Sequence, residues 1–123
     1  MTKQADNEHA VHDKIAALPA FVGVATRLHQ VITAANPQLQ PRLWYGMPGY
    51  ARTTTSPVLC FFRVDGDDYL TLGLTEKANH SPDPDSGNRL MPSAWFLTEL
   101  DEPTEADISR IIQAATGDNP QEP

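Results

Sequence analysis

Val58-Leu59-Cys60-Phe61-Phe62-Arg63-Val64-Asp65-Gly66-Asp67-Asp68-Tyr69-Leu70-Thr71-Leu72-Gly73-Leu74 is the stretch whose reading decides the fold. Val58 to Val64 is rich in the β-branched and aromatic types that fit a pleated, half-buried surface. Asp65-Gly66-Asp67-Asp68 is turn chemistry, because Asp bonds its own backbone and Gly reaches left-handed conformations without strain. From Tyr69 the pattern alternates: Leu70, Leu72 and Leu74 fall on one side, and Tyr69, Thr71 and Gly73 on the other. Two such runs around a polar turn predict a hairpin, and a hairpin fixes antiparallel pairing.

Working outward, residues 42–52 read as two short strand-like pieces around Gly46-Met47-Pro48-Gly49. Met47-Pro48 suits a tight turn there, with a cis bond allowed by the proline. Residues 76–92 form a polar loop bearing Pro and Gly, long for a small domain, and Ser93 to Leu97 reads as a last strand. On the N-terminal side the period changes to that of a helix. Val11, Ile15 and Leu18 make one stripe over Glu8 to Leu18. Pro19 then opens a second helix with Phe21, Val24, Leu28, Val31, Ile32 and Ala35 inward, ending at Asn36-Pro37. On this reading His29 falls off the apolar stripe and belongs to the surface. A final helix begins at Pro103-Thr104, with Thr104 and Asp107 spaced as a capping box. Ile108, Ile111, Ile112 and Ala115 are its buried stripe, and Gly117 stops it.

The order predicts an α+β fold: an antiparallel sheet of about five strands with two N-terminal helices and one C-terminal helix packed on one face. One domain over 1–117 and a polar tail over 118–123 account for all 123 residues. That length suffices for a core without staples. Cys60, the only cysteine, cannot form an internal disulfide, and its apolar neighbours mark it as a core residue. No apolar run approaches the length of a membrane span, and the N-terminal residues lack the apolar segment of a signal peptide. The expectation is therefore a cytoplasmic protein without a membrane partner.

The net charge is −7, unevenly placed: residues 1–64 hold three acids and six bases (+3), and residues 65–123 hold thirteen acids and three bases (−10). This field argues against nucleic acid as a partner, since phosphate contacts need clustered Lys and Arg.

Pro41-Arg42-Leu43-Trp44-Tyr45-Gly46-Met47-Pro48-Gly49-Tyr50-Ala51 resembles the signature of the YdhG-like domain of unknown function. Val58 to Phe62, Tyr69 to Leu74, and Ile15-Ala16-Ala17-Leu18-Pro19 are similar to that family's flanking elements, in the same order. The resemblance spans about residues 12–116, most of the chain. It implies helices on one face of an antiparallel sheet, frataxin-like in outline. It also brings the role some members are given, intracellular iron chaperone. Where near relatives carry Asp-Asp-Gly and a tryptophan before the proline matching Pro92, this chain reads Asp83-Pro84-Asp85-Ser86-Gly87-Asn88-Arg89-Leu90-Met91-Pro92.

Three sets of residues could carry function. Trp44, Tyr45, Met47 and Tyr50, with Trp95 and Phe96 of the last strand, could line a pocket, Trp and Tyr combining apolar area with hydrogen-bonding tips. Arg42 and Arg52 flank them and could receive an anion, and core packing is the alternative use of the same rings. His9, His12 and Asp13 stand at i, i+3 and i+4 on the first helix, so they share a face and could hold a metal, iron included. An exposed polar face near a frayed terminus is the plainer reading of the same residues. The acids at Asp65, Asp67 and Asp68 and at Asp83 and Asp85 could attract hard cations or simply form turns. No phosphate loop, nucleophile elbow or two-cysteine motif is present, and Ser56, Ser81 and His80 assemble no triad. The leading expectation is a non-catalytic binding domain whose small-molecule or protein partner meets the Trp-Tyr-Gly-Met-Pro segment. The alternative is a frataxin-like iron chaperone, and an enzyme of unknown chemistry is third. Edge strands and exposed aromatics leave a homodimer open.

Overall fold

The structure, a computed structural model, describes residues 3–65, 68–79 and 93–117. Eight elements follow in the expected order. Helices α1 (Lys3–Ala16) and α2 (Val22–Ala35) precede strands β1 (Gln40–Trp44), β2 (Met47–Ala51), β3 (Val58–Asp65), β4 (Tyr69–Leu74) and β5 (Ala94–Leu97), and α3 (Glu102–Thr116) closes the chain. The five strands form one antiparallel meander in the order β1-β2-β3-β4-β5. The α+β outline read from sequence is the observed one. No helix among the described residues is long and apolar enough to cross a membrane.

Alternation along the strands sorts the sheet into two faces. Register pairs Tyr50 with Cys60 and Cys60 with Leu74. Phe62 then pairs with Leu72, and Leu72 with Trp95. These side chains meet Val11 and Ile15 of α1, Leu28 and Ile32 of α2, and Ile108 and Ile112 of α3 in one apolar cluster. Each large side chain buried there contributes roughly 1.5–3 kcal/mol. The opposite face carries Arg42, Trp44, Met47, Phe61, Arg63, Thr71 and Phe96 by the same parity. A bulge between β2 and β3 lets Ala51 pair with Val58 directly after Tyr50 pairs with Cys60. The extra residue, Leu59, turns into the core.

Several local readings are corrected. The tight turn is not at Met47-Pro48, and no described peptide bond is cis. Tyr45 (φ 51°) and Gly46 (φ 77°) make the turn instead, and positive φ at both central residues is the mark of a type I′ hairpin. Pro48 lies inside β2 and is buried. A two-residue turn makes Trp44–Met47 a bonded pair, so the amide position of Pro48 points toward β3. The β2–β3 pairing begins only at Gly49–Phe61, where a proline no longer interferes.

Helix α1 starts earlier than the apolar stripe suggests, and α2 starts later than Pro19. Phe21 is the N-cap of α2 in the left-handed region, φ 60°, with no side-chain cap bond. Its ring packs on the core, which holds it there. The cap of α3 is Asp101, whose carboxylate accepts the Thr104 N–H at 3.0 Å, with Pro103 inside the first turn. The cap therefore sits three residues before the position the Thr104/Asp107 spacing suggested. Arg27 of α2 clamps Glu105 of α3 with two bonds of 2.7 Å. This pair raises the Arg27 pKa and lowers that of Glu105.

Candidate functional site

The residues expected around one ligand divide between the two faces. Tyr50 is wholly buried on the helix side. Its ring stacks near Phe62 at 6.2 Å, and its hydroxyl lies 2.7 Å from His29 Nδ1. Trp95 is half-buried on the same side, against the core. Arg42, Trp44 and Met47 share the opposite face, because Arg42 pairs with Gly49 and Trp44 with Met47. Tyr45 stands at the hairpin tip, 85% exposed.

The open face has its own aromatic order. The Trp44 ring meets Tyr45 edge-on at 4.8 Å and Phe61 at 5.2 Å. Farther along, Tyr69 and Phe96 pair at 4.5 Å, and Phe96 is 68% exposed. Two strand glycines make room for this surface. A methyl group on Gly73 would stand 2.5 Å from Phe61 Cζ, so the ring lies directly on the β4 backbone. A methyl on Gly49 would stand 3.0 Å from Trp44 Cβ and 3.1 Å from a Val58 methyl. Arg42 is held beside these rings by donation from Nη1 to the Thr54 carbonyl at 2.9 Å. Phe61 and Tyr69 were absent from the sequence-based set. The signal for Phe61 was present in its parity, opposite to Cys60 and Phe62, and an interior strand glycine such as Gly73 is a known mark of close packing.

His9 and Asp13 pair with each other at 3.3 Å on the exposed side of α1. His12 turns instead toward His29, ring centroids 4.9 Å apart and edge-on. The three helix residues thus do not converge, and among the described residues no group of three His, Cys, Asp or Glu side chains is placed to hold a metal ion. His29 is not the surface residue its position suggested. It is half-buried, and desolvation first, then the nearby His12, lowers its pKa, while Glu8 raises it. Burial pushes the Tyr50 hydroxyl well above its usual value and the Cys60 thiol up to about 12. Neither is a nucleophile in this state, because the thiolate and phenolate are the reactive forms. Asp67, His80, Ser81, Asp83, Asp85 and the tail over 118–123 lie outside the described residues.

A cavity of about 520 Å³ opens where the C-terminal ends of α2 and α3 meet Arg52. Its polar groups satisfy one another. Arg52 donates to the Gly117 carbonyl at 2.9 Å, Asn79 donates to the same oxygen at 2.8 Å, and Asn36 donates to Thr116 Oγ1 at 3.1 Å. It lies at a joint between helix ends, whose free carbonyls need such donors. A smaller, apolar cavity of about 180 Å³ lies between β5 and α3. No family model matches the chain, and comparison with curated proteins and with solved structures likewise returns no match.

Proposed function

We propose that this domain is a non-catalytic binding module whose ligand or partner stacks on the aromatic tip formed by Trp44, Tyr45 and Phe61, with Arg42 beside it. The observation that carries the reading is Tyr45. It is 85% exposed and held at φ 51°. A bulky residue there is strained, and the turn favours Asn or Gly. A tyrosine that adds backbone strain without filling a core is accounted for by contact with something outside the chain. The resemblance to the YdhG-like family supports the reading in that Trp44 to Tyr50 lies within the stretch that resembles that family's signature.

The test uses Trp95→Phe, which leaves Trp44 as the sole tryptophan reporter, and anilinonaphthalene sulfonate as a planar anionic probe. Trp44 emission should fall saturably as probe is added. Tyr45→Asn and Phe61→Ala should each weaken binding at least about fivefold, since stacking on one ring supplies that order of affinity. Tyr45→Asn should do so while keeping or raising Tm. Unchanged affinity in both variants removes the reading.

A further inference from the structure

The second surface left open by the helical layer is the β5 edge, and it goes beyond the aromatic tip. Helix α1 packs over β1 and β2, and α3 packs against α2 and over β3. The helix-side residues of the last strand, Trp95 and Leu97, are consequently only half covered. The gap is the 180 Å³ cavity lined by Leu72, Trp95, Leu97, Ile108 and Ile111, with Asp107 at its rim.

The backbone beside this gap is also unfilled. The Leu74 N–H donates to the Ser93 carbonyl at 2.7 Å. In an antiparallel ladder that bond fixes the phase, so Ser93, Trp95 and Leu97 face β4. The N–H and C=O of Ala94 and Phe96 then point outward, and β5 is an edge strand of the sheet formed by the described residues. Ala-Trp-Phe-Leu carries none of the charges or prolines that usually blunt such an edge. At the C-terminal end of β5 the chain places Glu99, Asp101 and Glu102, all exposed, followed by Glu105 and Asp107. Asp107 pairs with Arg110 and Glu105 with Arg27, which leaves the carboxylates of 99–102 to dominate this end.

We infer that the β5 edge binds an extended peptide that adds a sixth strand, seats one bulky apolar side chain in the β5–α3 cavity and sets a Lys or Arg against Glu99 and Glu102. Main-chain bonds to Ala94 and Phe96 supply affinity, and the pocket and the acids supply selectivity. The cavity has room for one Leu, Ile or Phe side chain. The charge decides against a second copy of this chain as occupant, because a copy would bring the same carboxylates to the junction and a net charge of −7 with it.

The experiment is a positional-scanning library of acetylated, amidated pentapeptides, read by fluorescence anisotropy on the full chain. The expected result is a preference of about tenfold for Leu, Ile or Phe over Asp at one position. A preference for Lys or Arg over Glu at a second position should fade as NaCl rises. Ala94→Pro removes only an outward N–H, a change edge strands tolerate, and should weaken binding about tenfold. Ile111→Lys, which fills the cavity mouth with charge, should do the same, and Glu102→Lys should reverse the Lys/Glu preference. Tyr45→Asn should leave peptide binding intact, so the aromatic-tip reading and this one fail separately. A library without positional preference, or binding indifferent to both Ala94→Pro and Ile111→Lys, overturns the inference. So does sedimentation showing a dimer that Ala94→Pro dissociates, since the edge would then belong to a second copy.

Discussion

Replacing Gly73 with Ala tests how the open face is built. The new Cβ would stand 2.5 Å from Phe61 Cζ and 2.7 Å from Cε1. Carbon atoms rest at about 3.5–4.0 Å, so the ring must lift by roughly 1 Å. Overpacking of this kind costs about 1–3 kcal/mol. Phe61 is only half-buried, so the ring can give way and the low end applies, about 1 kcal/mol. That corresponds to a fall of about 3–6 °C in Tm for a domain of this size. The lifted ring also moves against Trp44, 5.2 Å away, and Trp44 emission should change. Urea unfolding of the wild type, Gly73→Ala, Phe61→Val and the double variant closes a mutant cycle. In the Phe61→Val background the methyl meets no ring and should be neutral or slightly stabilising, giving a coupling of about 1 kcal/mol. A Gly73→Ala variant as stable as wild type, or a coupling near zero, would refute the picture of Phe61 lying on the β4 backbone.

Tyr50→Phe removes the hydroxyl 2.7 Å from His29 Nδ1 and should cost about 1 kcal/mol in urea unfolding. His29 has a folded pKa below its unfolded value of about 6.5, so the unfolded chain takes up the proton first. Stability from this group is present above that value and declines as pH falls below it, and His29→Gln should flatten unfolding profiles between pH 7.5 and 5. Cys60, buried with its pKa pushed up to about 12, should react with an aromatic disulfide reagent only in denaturant, and rapid native-state labelling would show the β2–β3 core to be open. Asp101→Ala should lower Tm through loss of the α3 cap, whereas Asp101→Asn, which keeps an acceptor oxygen, should retain most of it. The Asp101 pKa is lowered by its bonds to Thr104, so the cap's contribution should persist down to mildly acidic pH and vanish as the carboxylate protonates.

Local pattern carried much of this molecule. The alternation of Leu70, Leu72 and Leu74, the apolar run from Val58 to Val64, and the stripes through Val11 and Ile15, Leu28 and Ile32, and Ile108 and Ile112 each depend only on periodicity along the chain. Those elements stand where the periods put them. Helix and strand ends were less legible. The Tyr45-Gly46 turn and the Asp101 cap differ from the sequence reading because several residues nearby offer the same chemistry, and packing chose among them. Pro48 suggested a turn, yet it lies inside β2, and the β2–β3 ladder begins only at Gly49–Phe61.

What the sequence determined by itself is the inventory of elements, their order and the inward side of the alternating β4, because a period of two or of three to four residues is a property of the covalent chain. Only the tertiary structure decided which side chains share a surface. It sent Tyr50 to the core with His29 and left Trp44 outside with Phe61, although Trp44 and Tyr50 stand only six positions apart in the chain. The physical reason is that pairing register and a single bulge at Leu59 set these neighbours, and register is fixed by strands that meet across the sheet rather than along it.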